Sequence, residues 1–366
     1  MIVDLFSGPR GWSEGLRMHG LTDIGLELDT AACRTAVAAG HPTIQCDVTQ
    51  YPTRPFAGRT RGAIASPVCT PFSTAGKQGG VGDLPLVHQA VHDLAHGRDT
   101  RQGIKAACRD DKSILAAEPM RWLYDLRPEW VCLEQVPAVV PLWRQYAGIL
   151  RGWGYSVWTG ILNAADYGVP QTRRRAILIA SRVRAVTAPE PTHSEHGDRY
   201  TTDLFGDRRP TWVSMADALD LQPGMWVRTR GQRRTPGGNE FTADAPSWTL
   251  TEKARSWWVL RHSKRANATV RRLDQPAATL VAGHARRDVE WVRIDGATDL
   301  EKRPLLLTEA AVLQGFEPSH PFHGSESARF LQIANAVPPL LAAHIVAAAT
   351  GLPAPAPAAI PAACGA

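Results

Sequence analysis

Short apolar runs alternate with amphipathic stretches from Met1 to about Ser181. The runs are rich in small and β-branched residues and end at glycine, proline or polar residues, which is typical of buried strands. The stretches between them repeat apolar residues at helical spacing. This alternation predicts an α/β fold with a mostly parallel sheet and helices on both faces. The predicted strands are Ile2–Phe6, Asp23–Leu28, Thr43–Cys46, Gly62–Ala65, Trp130–Leu133, Val157–Leu162 and Ala176–Ala180, and the predicted helices include Trp12–Met18, Thr30–Ala38, Ile114–Leu126 and Leu142–Leu150.

Two regions depart from this alternation. Leu84–Asp111 is polar, rich in histidine and weakly periodic, which predicts a partly helical insertion. The proline-rich stretch Ala188–His193 is a predicted linker, and the sequence after it is rich in Arg, Gly and Trp. We therefore predict a first domain at 1–188 and a smaller, irregular β-rich domain at 189–300.

The second region contains an internal near-repeat. Asp244–Leu250 and Asp274–Leu280 share the pattern Asp-x-Pro-x-x-Thr-Leu, and each copy is followed by an Arg-containing loop and a Trp-Val pair. This predicts two similar hairpin-like units. Such units with basic loops fit a nucleic-acid-binding surface, and a solvated β meander is the alternative. The arginines around the repeat are Arg255, Arg265, Arg271, Arg272, Arg286 and Arg287.

Regular structure is predicted to return near Arg303, in a segment at 301–350. Thr308 is a candidate helix cap, and Leu313 and Phe316 follow at helical spacing. A last helix is predicted over Pro338–Thr350. The tail at 351–366 is rich in Ala and Pro and is predicted to be disordered.

The composition is that of a soluble globular protein. The chain has 366 residues, of which 44% are hydrophobic and 21% charged, and no apolar run approaches the ~20 residues of a membrane span. The N-terminus has no signal peptide, so we expect a cytoplasmic protein with no membrane association. The cysteines are scattered without a C-x-x-C pair, which argues against structural zinc and disulfides. The net charge of +6 favours a polyanionic partner, although a genome that encodes Arg freely would give the same balance.

Cys69 is the first candidate for chemistry. It follows the predicted strand Gly62–Ala65 and Pro67, and a Ser/Gly-rich loop comes after it. A thiol beyond the carboxyl end of a strand suits a nucleophile in an α/β crevice. Taken alone, a buried structural cysteine is the commoner case.

Polar and small residues follow the first three predicted strands. Ser7–Gly11 is a small-residue loop before a helix, where a ligand can approach the backbone. Glu27 and Asp47 end the second and third strands, where acids can bind ribose hydroxyls and an adenine amino group. These positions favour a cofactor that contains a nucleoside.

Glu134 ends the fifth predicted strand, and a Gln-Thr-Arg-Arg-Arg run precedes the last one. An acid in so apolar a run is a candidate proton donor, and a satisfied structural carboxylate is the alternative. At least one arginine of the run, Arg173 or Arg175, is expected to face the same crevice, unless the run is a solvated surface.

Together these motifs resemble the DNA cytosine-5 methyltransferase family. The resemblance covers about residues 1–181 and 303–350 and leaves the middle as the expected target-recognition domain. Any one motif is weak, but their order and the variable gap are specific. The motifs are Asp4-Leu5-Phe6-Ser7-Gly8, Pro67-Val68-Cys69-Thr70-Pro71, Glu134-Gln135-Val136, Gln171-x-Arg173-x-Arg175 and Gln332-Ile333-Ala334-Asn335-Ala336-Val337.

The resemblance implies a Rossmann-like catalytic domain and a mechanism. The Cys69 thiolate would attack C6 of a cytosine flipped out of the duplex while Glu134 protonates or hydrogen-bonds N3. C5 would then take the methyl group of S-adenosylmethionine, and loss of the C5 proton would release Cys69. A mobile loop from Thr70 to about Leu86 would close over the base, which Arg173 and Arg175 would hold.

The resemblance also assigns the cofactor site. Phe6 and Leu28 would sandwich adenine, Glu27 would bind ribose and Asp47 the adenine edge, and Asn335 would lie beside the amino-acid end. It implies double-stranded DNA as the substrate. A cognate restriction endonuclease is a candidate partner, and we expect a monomer in a bacterial or phage context. The remaining residues assigned to the cofactor are Ser7, Gly8, Gly11, Val48 and Pro67.

Several positions depart from the family pattern. Val68, Thr70 and Gln135 replace the usual Pro, Gln and Asn, and Ala334 replaces a Gly. Arg10 replaces a glycine of the cofactor loop, where a cation could block, move or help to bind the cofactor. Three alternatives follow: a plain methyltransferase, which we favour; an enzyme that uses a carboxylated, more anionic S-adenosylmethionine derivative; and a weak DNA-binding relic.

Overall fold

A sheet of seven strands runs through the first part of the chain, in the order β3-β2-β1-β4-β5-β8-β6. The computed structural model describes residues 1–73, 79–197, 209–219, 258–261, 269–280, 289–295 and 298–355. β8 runs antiparallel to both of its neighbours, and the other pairs are parallel. The strands are β1 (Ile2–Leu5), β2 (Ile24–Glu27), β3 (Thr43–Gln45), β4 (Gly62–Ala65), β5 (Trp130–Gln135), β6 (Ser156–Asn163) and β8 (Arg174–Ser181), while β7 (Gln171–Thr172) lies outside this sheet.

Helices cover both faces of this sheet, as predicted. Alternate residues of one strand point to opposite faces, so Val3 and Leu5 join one hydrophobic core while Ile2 joins another. The first core includes α3, α5 and α6, and the second includes α1 and α10. The helices are α1 (Gly11–Arg17), α2 (Thr30–Ala38), α3 (Gly79–Ala95), α4 (Arg101–Ala107), α5 (Glu118–Leu126), α6 (Val140–Gly152), α7 (Met215–Leu219), α8 (Leu307–Leu313), α9 (Glu326–Asn335) and α10 (Pro339–Thr350).

The strand order reverses between β1 and β4. From β1 the chain proceeds outward to β2 and β3, then returns to pair β4 on the other side of β1. Ligands of open α/β sheets bind outside the carboxyl ends of the strands at such a switch point. The loops after β1 and β4 therefore face one crevice.

The C-terminal segment returns to the first sheet by close backbone contact. A Cβ on Gly11 would lie 2.0 Å from the carbonyl oxygen of Val337, and a Cβ on Gly15 would lie 2.8 Å from Cβ of Ala342. Only glycine allows this approach of α1 to α10. The stretch Glu326–Thr350 has the length and hydropathy of a membrane span, but 83% of its most apolar window is buried inside the protein and it consists of two helices.

A second, antiparallel sheet has the order β10-β9-β12-β13. The Trp-Val pairs that follow the near-repeat lie on adjacent strands, where Val292 pairs with Val259. The first repeat copy and Arg255, Arg265, Arg286 and Arg287 lie outside the described residues. The strands are β9 (Trp258–Arg261), β10 (Val270–Arg272), β11 (Ala277–Ala278), β12 (Glu290–Asp295) and β13 (Thr298–Pro304), of which β11 pairs with β7.

Three predicted elements were wrong in detail. Helix α8 begins at Leu307 rather than after a Thr308 cap, because Glu309 accepts a hydrogen bond from the Leu306 N–H at 2.8 Å. The stretch Ile114–Leu126 is not one helix, since a 3₁₀ turn at Ser113–Ala117 precedes α5. The loop expected to reach Leu86 is shorter, because α3 already begins at Gly79.

Candidate active site

A cavity of about 730 Å³ opens at the carboxyl ends of β1, β2, β4 and β5. The topology brings together residues that are far apart in sequence, including Asn335 from the C-terminal segment. All of the site residues predicted from the sequence line this cavity: Phe6, Ser7, Gly8, Gly11, Glu27, Leu28, Asp47, Val48, Pro67, Cys69, Glu134, Arg173, Arg175 and Asn335.

Glu27 organises one end of the cavity. One carboxylate oxygen accepts a hydrogen bond from the Gly8 N–H, and the other accepts from the Leu28 and Asp29 N–H groups, each at 2.8 Å. The carboxylate thereby ties the loop after β1 to the loop after β2. Each carboxylate oxygen has further lone pairs, so Glu27 can still accept from a ligand hydroxyl.

Apolar side chains flank these acids. Leu28 is 65% exposed although it lines the cavity, and Phe6, which has a left-handed φ of 59°, lines the same cavity. Asp47 keeps one oxygen occupied by the Thr49 N–H and hydroxyl, at 2.9 and 2.8 Å. Apolar faces beside two acids suit an adenosine, in which a flat base carries an amino group and a ribose carries hydroxyls.

Arg10 does not face the cavity, which corrects the suggestion that its charge meets the cofactor. Its φ of 74° turns the side chain behind the loop, where it is fully buried and its Nη2 lies 2.9 Å from Asp23. Gly25 leaves the necessary space, since a Cβ there would lie 1.4 Å from Nη1 of Arg10. The sequence shows that position 10 carries a cation, but only the backbone φ of Arg10 shows where its side chain points.

Cys69 and Glu134 line the cavity at the ends of β4 and β5, which β1 separates from β2 and Glu27. The Glu134 carboxylate accepts a salt bridge from Arg175 at 2.9 Å. Burial raises the pKa of the Cys69 thiol, Glu134 raises that pKa further, and Arg175 and Arg173 oppose the rise. The thiol is therefore protonated at neutral pH in this state, so a reaction as nucleophile requires loss of its proton.

Arg173 is anchored to the C-terminal segment by its two Nη atoms, while its buried Nε has no hydrogen-bond partner within the described residues. Its Nη1 donates to the Ala334 carbonyl at 2.8 Å and its Nη2 to the Asn335 carbonyl at 3.5 Å. Burial, together with Arg175, lowers the pKa of Arg173 to about 9, which leaves the guanidinium charged at neutral pH. In this state the two arginines have different partners: Arg173 donates to the backbone at Asn335, and Arg175 forms an ion pair with Glu134.

Further residues contribute that the sequence did not assign. Gln135 and Trp12 bind the loop that carries Cys69, through the Pro67 and Val68 carbonyls and the Ser66 hydroxyl. The sequence offers one clue to each residue: Gln135 follows the candidate proton donor Glu134, and Trp12 follows the small-residue loop Ser7–Gly11. Lys105, Asp111, Lys112 and Gln332 also line the cavity. Gln332 opens the last family motif, whereas no pattern singles out Lys105, Asp111 and Lys112, which lie in or next to the predicted insertion.

The site combines a thiol, a carboxylate–guanidinium pair and a recess suited to an adenosine in one crevice of a Rossmann-like α/β fold. That combination fits a group-transfer enzyme with a nucleoside-containing cofactor. The model of the family of C-5 cytosine-specific DNA methylases matches residues 101–350. The chain belongs to this family, so it is a DNA cytosine-5 methyltransferase, and the family implies S-adenosylmethionine as the methyl donor and DNA as the substrate.

Similar proteins agree with this assignment. The type II methyltransferase M.Eco47II of Escherichia coli is 26% identical over 358 residues, covering 92% of this chain and 75% of the relative. M.AplI of Arthrospira platensis is 27% identical over 351 residues, covering 94% and 84%. The structure of the S. pombe Dnmt2 methyltransferase shares the fold, with a TM-score of 0.56, 13% identity and coverage of 96% of this chain and 98% of that one.

Proposed function

We propose that this enzyme methylates C5 of a flipped-out cytosine in a specific duplex sequence, through a covalent bond between Cys69 and C6. The observation that carries the proposal is the placement of Cys69 and Glu134 in the same cavity as the adenosine-type recess around Glu27, Leu28 and Asp47. A thiol, a proton donor and a methyl donor must meet around one pyrimidine ring, and this cavity has space for all of them.

The residues act in a chemical order. Cys69 gives its proton to solvent and its sulfur bonds to C6. Glu134, aimed by Arg175, takes up a proton and shares it with N3, which makes C5 electron-rich. Bound S-adenosylmethionine supplies the methyl group to C5. A base then removes the C5 proton. The electrons of the C5–H bond reform the C5–C6 double bond, and the sulfur leaves as a thiolate.

We assign the cofactor residues the roles that the family resemblance implies. Phe6 and Leu28 would contact the adenine faces, Glu27 would accept from ribose and Asp47 from the adenine amino group. The chain also supplies Ser7, Gly8, Gly11, Val48, Pro67 and Asn335 around the cofactor. A cognate restriction endonuclease, a monomeric state and a cytoplasmic location remain predictions.

The alternative of a carboxylated S-adenosylmethionine derivative loses its motive, because Arg10 pairs with Asp23 outside the cavity. The relic alternative predicts no turnover. Sequencing of bisulfite-treated DNA from a methylation-deficient host that expresses the protein tests both, together with mass spectrometry of its nucleosides. We expect 5-methylcytosine at one short motif; unmodified DNA would contradict the proposal.

A covalent trap tests the role of Cys69 directly. Duplex DNA with 5-fluorocytosine at the target site cannot lose its C5 substituent as a proton, so the adduct should persist on a denaturing gel. Cys69→Ser should form no adduct. Cys108→Ser is the matched control, since Cys108 is also a half-buried free thiol but does not line the cavity.

A further inference from the structure

Gln135 contacts the loop that carries Cys69 with both ends of its amide. Its side chain is buried, and Nε2 donates to the Pro67 carbonyl at 2.9 Å and to the Val68 carbonyl at 3.3 Å. Its Oε1 accepts from the Val136 N–H at 2.7 Å. The opposite amide orientation would place an oxygen against two carbonyls, so this assignment alone satisfies all three contacts.

The two carbonyls belong to the peptide groups that immediately precede Cys69. Pro67 has its φ fixed by the ring, whereas Val68 keeps a free φ. Holding both peptide planes sets the torsions of Val68 and therefore the direction of the Cys69 side chain. On the other side of Cys69, its carbonyl accepts from Phe72 and Ser73 N–H groups at 3.0 Å, which closes a turn.

We propose that Gln135 is a positioning residue that supplies the restraint a proline at position 68 would otherwise give. The proposal rests on the proposed function, in which Cys69 is the nucleophile. The arm length of Gln135 matters, because an asparagine is one methylene shorter and cannot reach both carbonyls from the same backbone. Val68 and Gln135 thus form a functional pair, although they are separated in sequence.

The pairing predicts a specific rescue. Gln135→Asn should slow formation of the 5-fluorocytosine adduct in single turnover by roughly 10- to 100-fold, because small displacements of a reacting group cost rates of that order. Gln135→Met, which keeps the length without the amide, should be similarly slow. KM for DNA and for S-adenosylmethionine should change less than about twofold, since neither substrate binds through Gln135.

Val68→Pro should restore most of the rate in the Gln135→Asn background, because the ring fixes φ without the amide. The Val68 N–H makes no hydrogen bond within the described part of the chain, so the ring removes none. Val68→Ala should not rescue. Gln145→Asn is the matched control, since both ends of the Gln145 amide on α6 contact His88 on α3, and neither residue lines the cavity.

The outcomes separate the two proposals. A wild-type protein that forms no adduct overturns the proposed function and this inference with it. A wild-type protein that forms the adduct at the same rate as Gln135→Asn and Gln135→Met overturns only the inference. A slow Gln135→Asn that Val68→Pro does not rescue, or that loses melting temperature in proportion to its rate, assigns Gln135 a purely structural role.

Discussion

Arg175 Nε lies 2.9 Å from Oε1 of Glu134, and only 12% and 8% of the two side chains are exposed. Neither side chain can relax into bulk water, so the ion pair fixes the direction of the carboxylate. The next residue, Gln135, holds the loop of Cys69. The end of β5 therefore orients the Glu134 carboxylate and, through Gln135, also holds the loop that carries Cys69.

Glu134→Gln should reduce kcat for methyl transfer by about 10² to 10⁴, because the amide cannot donate a proton to N3 in the transition state. S-adenosylmethionine binding should be nearly unchanged, since Glu134 lies at the other end of the cavity. Glu129→Gln is a suitable control, because Glu129 also pairs with an arginine, Arg61 at 3.2 Å, but on the surface. Equal activity of Glu134→Gln and wild type would contradict the assigned role.

Alkylation of Cys69 by iodoacetamide should increase with pH, with a midpoint above that of an ordinary thiol. The reason is that burial and Glu134 raise the pKa of Cys69, so the reactive thiolate is scarce at neutral pH. Glu134→Gln should lower the midpoint, and Arg175→Gln should raise it, because each removes a charge of opposite sign. Peptide mass spectrometry separates Cys69 from the other thiols, and a midpoint at or below the ordinary value would refute this account.

The sheet and its site could be predicted because buried strands and their polar ends are local features of the sequence. The alternation of apolar runs located the strands within one or two residues, and residues at strand ends, such as Glu27 and Cys69, met in one cavity as expected. The directions in which side chains point were harder to predict from the sequence. The position of Arg10 in the cofactor loop suggested that its charge could affect the cofactor, but a left-handed backbone and the space above Gly25 turn the side chain away.

Hydrogen bonds between distant segments of the chain also could not be predicted from the sequence. Nothing local to Gln135 indicates that its amide reaches the Pro67 and Val68 carbonyls, because the contact joins the ends of two neighbouring strands. For the same reason, no motif indicates that the Arg173 guanidinium also donates to the Ala334 and Asn335 carbonyls. Contacts between distant segments depend on register and strand order, which no motif encodes.

Leu28→Ala should weaken S-adenosylmethionine binding about tenfold. An exposed leucine that a ligand covers contributes roughly 1.5–3 kcal/mol when fully buried, and alanine retains only part of this. Isothermal titration calorimetry with the full chain measures the change. Val37→Ala is the control, because Val37 is equally exposed at 65% but does not line the cavity, and its affinity should equal that of the wild type.

Arg10→Met should destabilise the protein by about 3 to 5 kcal/mol, because it leaves the buried Asp23 carboxylate without its cation. Asp4 lies nearby and is fully buried; burial and Asp23 raise the pKa of Asp4, while Arg10 opposes the rise. Removing the Arg10 guanidinium therefore leaves two buried acids, Asp4 and Asp23, without this neighbouring cation. Denaturant unfolding measures the loss, and Arg61→Met should cost at most about 1 kcal/mol, because its ion pair with Glu129 is exposed.

The double variant Arg10→Met/Asp23→Leu should recover part of that stability, since it removes the unpaired charge together with its partner. The nucleoside product should remain 5-methylcytosine in every variant that folds, because Arg10 lies behind the cofactor loop rather than in the cavity. An Arg10→Met protein as stable as the wild type would show that the buried pair contributes nothing. A change in the group transferred would instead indicate that the charge of Arg10 acts on the cofactor.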